Sequence, residues 1–414
     1  MTLVECFEQS PLENIASCLN LRPDKLIFVG YASDMQDSYP RYCKIVNKKS
    51  FRTQVDKREI DGLDVNGIAQ ILEDFVKIGD ECVFDLGGGD GIVLTAAGMV
   101  YNRLRDQYPI SMQRVNILTG TPQDCDGDGR TIDPFEPTLT VKELIYLYGG
   151  IVAPETPQPP RDFSPCDIAP LWDIVTKDSS LWNKCAAALT ELEKRAGAKG
   201  EHLEVRINFS ALRQNLNDYA IKRARFDSII EDLRRGGVIS IKDRSETNFC
   251  YRYKSPVYRR CIKKAGNTLE YKTFLEARAF FEGDQPYFTS CALGVNIDWD
   301  GVVRAPVSGG VRDTKNEIDV MLMHGLTPVF VSCKNGTIGE VELYKLNTVA
   351  ERFGGEFAKK LLVATDFNPD SEDTRKAFLQ RAADMKIVFE PDAARLDSAG
   401  WRRLFKEAVE GKAE

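Results

Sequence analysis

The sequence predicts an α/β protein built in consecutive parts, on three observations. Residues 1–150 alternate short apolar runs with segments of helical periodicity. Residues 167–235 are helical. From residue 266 a helix is followed by three apolar runs separated by turn residues. Strand–helix alternation with apolar strands calls for a parallel sheet covered on both faces. The chain has 414 residues, and at roughly 150 residues per domain it has room for two or three such parts.

The elements follow in order. KLIFVGY (25–31) is an apolar strand, and GIAQILEDFVKI (67–78) places its apolar residues at helical spacing. ECVFDL (81–86) is a second buried strand that runs through GGGDG into the amphipathic helix IVLTAAGMVYNRLRDQ (92–107). RVNILTG (114–120) is another strand, and LTVKELIYLYGG (139–150) is a helix closed by glycine. Residues 1–153 therefore read as a Rossmann-like domain. Five of the 13 residues in 153–165 are proline, so 154–165 reads as an extended interdomain linker.

Residues 166–262 form a helical, basic segment. FDSIIEDLRRGGVISIKDRSETNFCYRYKS (226–255) reads as helix, Gly-Gly turn, strand, polar turn, strand. That order matches the second half of a winged helix; the alternative is a subdomain that orients its neighbours. Residues 263–414 form the last part. GNTLEYKTFLEARAFFEGD is a helix, and CALGVNIDWDG, NEIDVMLMHG and TPVFVSCKNG are three strands. GEVELYKLNTVAERFGG is a helix, KKLLVATD a strand, and the tail a short helix.

Composition excludes several classes. No apolar run approaches the roughly 20 residues that span a bilayer. MTLVECFEQSPLEN lacks the basic-then-apolar order of a signal peptide, so a soluble cytoplasmic protein is expected. The 11 cysteines include no CxxC pair, which argues against a disulfide framework or a cysteine-rich zinc site. The two histidines, His202 and His324, are far apart, which disfavours His-based metal and nucleophile mechanisms. Charge is uneven: 15 basic and 23 acidic side chains in 1–153 give −8, and 15 basic and 6 acidic in 206–264 give +9. The basic stretch can track a phosphate backbone, or be a solvated helical face.

The chemistry-bearing residues lie towards the C-terminus. Asp319 shares a strand face with Glu317 and Met321, and Ser332 and Lys334 share a face of the adjacent strand. A lysine on an apolar strand needs a partner, and so does an acid. Glu270, on the preceding helix, can point to the same place. Metal-dependent phosphodiester cleavage wants this set: Asp319, Glu270 and the backbone carbonyl of Cys333 as oxygen ligands of Mg²⁺ or Mn²⁺, with Lys334 orienting water or stabilising the transition state. A purely structural Asp319–Lys334 ion pair is the equal alternative.

Helix Glu, strand Asp, then a strand ending in (D/E)xK resembles the PD-(D/E)xK nucleases, of restriction-endonuclease-like fold. GNTLE, NEIDV and VSCKNG match its three motifs in order, except that Ser332 stands where the pattern has an acid. Glu317 or Glu342 is the candidate to compensate. Ser-Cys-Lys followed by Asn resembles the CRISPR ancillary nucleases that carry an N-terminal CRISPR-associated Rossmann-fold (CARF) sensor. LVECFEQSPLEN, CVFDLGGGDGIVLTAAG and LTVKELIYLYGG resemble that sensor.

The resemblance implies a homodimer that binds cyclic oligoadenylate, most commonly cyclic tetra-adenylate, across its two-fold axis. It implies activated, non-specific cleavage of DNA or RNA in type III CRISPR antiviral defence, with no membrane involvement. In the sensor, Gly87, Gly88, Gly89 and Asp90 lead into a helix N-terminus whose N–H groups can take a phosphate. Ser10, Asn14 and Thr95 can add hydrogen bonds. A tight strand–helix turn is the alternative. GGGDG is neither GxGxxG, since Ile92 replaces the third glycine, nor a P-loop. QDCDGDGRTID resembles the first half of a calcium loop, with Asp124, Asp126, Asp128 and Gly129, but Phe135 stands at the twelfth position, so a polar surface loop is expected. A ligand-responsive transcription regulator with an inert nuclease fold is the competing reading. A ring nuclease, in which the sensor degrades its activator, is a third.

Overall fold

A computed structural model describes residues 1–49, 52–127, 136–153, 158–196, 203–245, 247–299, 301, 315–336 and 338–411. The first part comprises β1 (Thr2–Cys6), α1 (Glu13–Leu21), β2 (Lys25–Gly30), α2 (Ala32–Met35), α3 (Tyr39–Lys49), β3 (Gln54–Glu59), α4 (Val65–Val76), β4 (Cys82–Asp85), α5 (Gly91–Leu104), β5 (Ile110–Asn116), β6 (Thr121–Asp124) and α6 (Val141–Leu147). Its sheet has the order β3-β2-β1-β4-β5-β6, with only β6 antiparallel. Strand order reverses between β1 and β4, and an open parallel sheet leaves a crevice beyond the strand ends at such a point.

The short strand β7 (Ile151–Val152) does not join that sheet. It pairs antiparallel with a strand of the last part, so the end of the N-terminal region is built into the second sheet. The described part of the proline-rich stretch is also fastened down. The Gln158 side chain mimics a strand, donating to the Leu293 carbonyl at 2.9 Å and accepting from the Leu293 N–H at 3.0 Å. Arg278 donates to the carbonyls of Pro159, Pro160 and Phe163. Proline gives an extended segment but says nothing of what covers it, so the extended linker is, over these residues, a strap.

The middle contains α7 (Pro165–Lys177), α8 (Ser179–Arg195), β8 (Glu204–Asn208), α9 (Phe209–Asp218), α10 (Arg223–Arg235), β9 (Ile239–Arg244), β10 (Asn248–Tyr253) and α11 (Pro256–Lys263). Its three strands form an antiparallel sheet in the order β8-β10-β9. β8 breaks the helical stretch expected over 167–235; its EVRIN alternates exposed and buried residues, the period of a half-buried strand. Most basic side chains of α10 are paired locally: Arg223 with Asp227 at 2.9 Å, and Arg234 and Arg235 with Glu231 at 2.6 and 3.0 Å.

A buried network holds this segment together. Glu193 receives Arg259 at 3.1 Å, the Tyr253 hydroxyl at 2.5 Å and the Tyr251 hydroxyl at 3.2 Å. Both charged side chains are about 95% or more buried (3% and 4% exposed). Removing one partner strands the other charge in the core. Arg259→Ala is therefore expected to cost about 3 kcal/mol in urea denaturation of the full chain. A loss under about 1 kcal/mol would mean that water reaches Glu193.

The last part holds α12 (Asn267–Arg278), the hairpin β11 (Phe281–Glu282) and β12 (Gln285–Pro286), β13 (Ser290–Asp298), β14 (Lys315–His324), β15 (Thr327–Lys334), α13 (Glu340–Gly354), β16 (Lys359–Ala364), α14 (Glu372–Asp384), β17 (Ile387–Glu390) and α15 (Ser398–Glu410). The sheet order is β17-β16-β15-β14-β13-β7; β15 to β17 run parallel and the remaining pairs antiparallel.

Alternation along the strands assigns the two faces. Val320, Val331, Cys333 and Val363 pack with α12, α15 and the middle segment in one core. Met321, Phe330 and Leu362 pack with α13, α6 and α1 in another. The N-terminal part and the second sheet thus share a hydrophobic core. Among the described residues, no helix is long and apolar enough to cross a membrane.

Candidate active site and ligand cleft

The candidate active site lies where β14 and β15 part. Their ladder runs from His324–Thr327 to Val320–Val331 and stops one residue short of Asp319 and Ser332. Beyond it, the Asp319 carboxylate accepts the Cys333 N–H at 2.7 Å and the Ser332 hydroxyl at 3.3 Å. A side chain thus replaces the missing strand partner. In an extended strand a residue's N–H and C=O point to the same side, so the Cys333 carbonyl faces the same gap. The Cys333 thiol points into the core, donating to Thr273 at 3.6 Å. On the other side of Asp319 the facing position is Gly294, between Leu293 and Val295, whose partners are Val320 and Ile318. Its φ of +59° is a conformation that side chains resist.

Lys334 reaches Glu342 at 2.9 Å and Asp319 at 3.9 Å. Glu342, in the first turn of α13, is also held by Lys345 at 2.8 Å. Glu317 is exposed and lies 3.7 Å from Lys264. Of the two candidates to replace an acid at Ser332, Glu342 is engaged by two lysines and Glu317 by one. Ser332 itself supplies a hydroxyl that steadies Asp319. Sequence reasoning assigned no role to Asn335 and Asn183. The Asn335 amide donates to Asn183 at 2.9 Å and to the Ala265 carbonyl at 3.0 Å, and Asn183 donates to the Asn335 carbonyl at 3.1 Å. This tie fixes the turn after Lys334 against α8. Its signal, an asparagine directly after the lysine, names no partner.

Glu270, in the first turn of α12, completes the set. Burial and the nearby Asp319 charge push its carboxyl up to about 8, against the pull of Lys264 and Lys334. Burial raises Asp319 as well, opposed by Lys334 and the Cys333 N–H. Burial disfavours the Lys334 charge, but Asp319 and Glu342 outweigh it and keep the ammonium firmly protonated. The two carboxyls therefore lack sufficient counter-charge. Among the described residues no three His, Cys, Asp or Glu side chains stand together in a metal-holding arrangement. Two carboxylates and one carbonyl nevertheless fit a hard cation such as Mg²⁺, which takes one or two protein carboxylates and completes its shell with water and phosphate.

In the N-terminal part the loops after β1 and β4 meet at the switch point. Two N–H groups of GGGDG, and that of Ile92 after it, already have carboxylate partners. Gly87 N–H goes to Asp85 at 3.0 Å, Gly89 N–H to Glu8 at 3.1 Å and Ile92 N–H to Asp90 at 2.8 Å. Three carboxylates fill the turn that was expected to cradle a phosphate. The glycines answer to protein: a Cβ on Gly89, whose φ is +113°, would lie 2.5 Å from the Cys6 Cβ, and one on Gly88 would lie 2.7 Å from the Glu8 Cβ. These contacts are those of a tight strand–helix turn.

Asn14 is fully buried, and its amide accepts Glu8 N–H at 2.7 Å and donates to the carbonyls of Glu8 and Ser10, so it shapes the β1–α1 loop. The Thr95 hydroxyl folds back onto the Gly91 carbonyl at 2.7 Å. Of the expected ligand residues, only Ser10 lines the adjacent cleft of about 620 Å³. Arg41, Tyr42, Tyr148, Arg352 and Glu356 share its lining. In the acidic loop, Asp124 accepts N–H groups of Asp126 and Gly127, as in a turn. Asp128, Gly129 and Phe135 lie outside the described residues, as do residues 154–157 of the linker and His202.

No family model and no curated protein matches the chain. Solved structures do. Protein VC1899 from Vibrio cholerae is similar at a TM-score of 0.70 and 17% identity, over 99% of this chain and 97% of that one. Can2 from Sulfobacillus thermosulfidooxidans, solved in complex with cyclic tetra-adenylate, is similar at a TM-score of 0.65 and 14% identity, over 99% of each chain. The chain shares their fold from end to end.

Proposed function

We propose that this chain is a metal-dependent nuclease of type III CRISPR antiviral defence, activated by cyclic oligoadenylate, with the tetra-adenylate that Can2 carries as the favoured ring. The observation behind this reading is the convergence of Glu270, Asp319 and Lys334 at the parted ends of β14 and β15, in a chain with the Can2 fold. The first part acts as a CARF-type sensor in a homodimer, the middle is winged-helix-like and adds affinity for the nucleic-acid backbone, and the last part is the PD-(D/E)xK-like nuclease.

Glu270, Asp319 and the Cys333 carbonyl would hold Mg²⁺ or Mn²⁺. When bound, such an ion supplies charge neutralisation at the phosphate and acidifies water. The chain's own residues do the rest. The Cys333 N–H and the Ser332 hydroxyl fix the Asp319 carboxylate. The Lys334 ammonium, protonated and reachable from the gap, stabilises negative charge developing on the phosphate oxygens. Glu342 holds Lys334 until it is needed.

The test incubates the purified chain with single-stranded DNA, single-stranded RNA and supercoiled plasmid, in Mg²⁺ or Mn²⁺, with and without cyclic tetra- or hexa-adenylate. Cleavage is expected only with both metal and one ring size. Tight ligand binding with no cleavage of any substrate would instead favour a regulator with an inert nuclease fold.

A further inference from the structure

The helix α13 touches both sites. Its first turn supplies Glu342, which holds Lys334 at 2.9 Å. Its last turn and the 3-10 turn that follows supply Glu351, Arg352, Gly355 and Glu356 to the wall of the switch-point cleft. Fifteen helical residues span about 22 Å at 1.5 Å each. The helix is seated on the second sheet by Leu343, Leu346, Val349, Ala350 and Phe353, all buried in the core that the two parts share. Packed helices of this kind slide as rigid bodies.

The cleft has a charge pattern that favours such a shift. Among the described residues, Glu8, Asp34, Asp37, Glu351 and Glu356 line it against Arg41 and Arg352. A ring of phosphates meets repulsion in this arrangement, and moving the last turn of α13 with the 3-10 turn after it withdraws Glu351 and Glu356, a net charge of −1 once Arg352 goes with them. The ligand then has the differential affinity for two arrangements that coupling requires.

We propose that α13 is the coupling element between the sensor and the nuclease: in the arrangement seen here Glu342 restrains Lys334, and a cyclic oligoadenylate in the cleft displaces α13 and frees Lys334 towards Asp319. The inference rests on the proposed function and adds its regulation. Lys345 tunes the restraint, because its ammonium on Oε1 partly neutralises the Glu342 carboxylate that holds Lys334 through Oε2.

Two variants of opposite sign test it, each read by cyclic tetra-adenylate affinity (isothermal titration) and by plasmid cleavage with and without that ligand. Glu342→Gln removes the restraint. It is expected to raise ligand-free cleavage about tenfold and, by reciprocity, to tighten ligand binding by a similar factor, although residue 342 lies outside the cleft. Lys345→Gln leaves Glu342 wholly to Lys334 and is expected to weaken binding and lower ligand-free cleavage. Unchanged affinity in both variants overturns the coupling, whatever the cleavage data show. Loss of cleavage in Glu342→Gln with unchanged affinity does so too, and makes Glu342 a positioning residue for Lys334 alone. Wild-type protein that binds neither cyclic tetra- nor hexa-adenylate defeats the proposed function itself, an outcome distinct from equal binding by wild type and variants.

Discussion

Lys334→Ala is expected to lower cleavage by about a hundred- to a thousandfold, the loss that follows removal of one preorganised group at a developing oxyanion. Asp319→Ala is expected to do at least as much, because it removes a metal ligand and leaves the Cys333 N–H without its acceptor. Both variants should bind cyclic tetra-adenylate, since neither residue lines the cleft. Cys333→Ala is the contrast. Its backbone still donates to Asp319, and only a buried thiol contact with Thr273 is lost, so cleavage should stay near the wild-type rate. Single-turnover rates of the three variants at saturating metal make the comparison. Wild-type rates in Lys334→Ala or Asp319→Ala would reduce the constellation to a structural ion pair.

Glu5→Gln should stabilise the protein, and more so at pH 8 than at pH 5. Glu5, Asp85 and Gln113 lie side by side in register on β1, β4 and β5, on the sheet face covered by α1. Glu5 and Asp85 are fully buried, and the two carboxyls share a hydrogen bond that protonated Glu5 donates to Asp85. Burial, then the Asp85 charge, pushes the Glu5 carboxyl well above its ordinary value; burial also raises Asp85, opposed by hydrogen bonds that include the Gly87 N–H. The folded state therefore holds protons that the unfolded chain gives up above about pH 4. The stability tied to those protons is complete below that pH and is lost as pH rises through the folded-state value. Glutamine keeps the shape without the ionisation. Thermal melts of both proteins at pH 5 and pH 8 decide the matter: an equal difference at the two pH values would show that Glu5 is not held protonated.

Local pattern carried much of the fold. Apolar runs bounded by turn residues marked β2, β4, β13, β14, β15 and β16, and helical spacing with a glycine stop marked α13. These signals are legible because each is set within a few residues by periodicity and backbone chemistry. The spacing of Asp319, Ser332 and Lys334 is of the same kind: two adjacent strands and a short turn bring them together in the only register the apolar faces allow. Weaker patterns were missed. β8 is short and lies between helices, and α14 has only Phe378 and Ala382 buried, too few for a clear stripe.

What depended on distant partners could be decided only by the tertiary structure. GGGDG has the composition of a phosphate cradle, but Glu8, 81 positions away, takes the Gly89 N–H, and Cys6 leaves no room for anything but glycine there. The proline-rich stretch is strapped down by Gln158 and Arg278, whose partners lie more than 100 residues off. The cleft beside Ser10 gains part of its lining from α13, and Lys334 gains its nearest acid from the same helix. A backbone donor is free or filled, and a wall is present or absent, according to which segment packs beside it, and that is settled by the assembled core and not by neighbours in the chain.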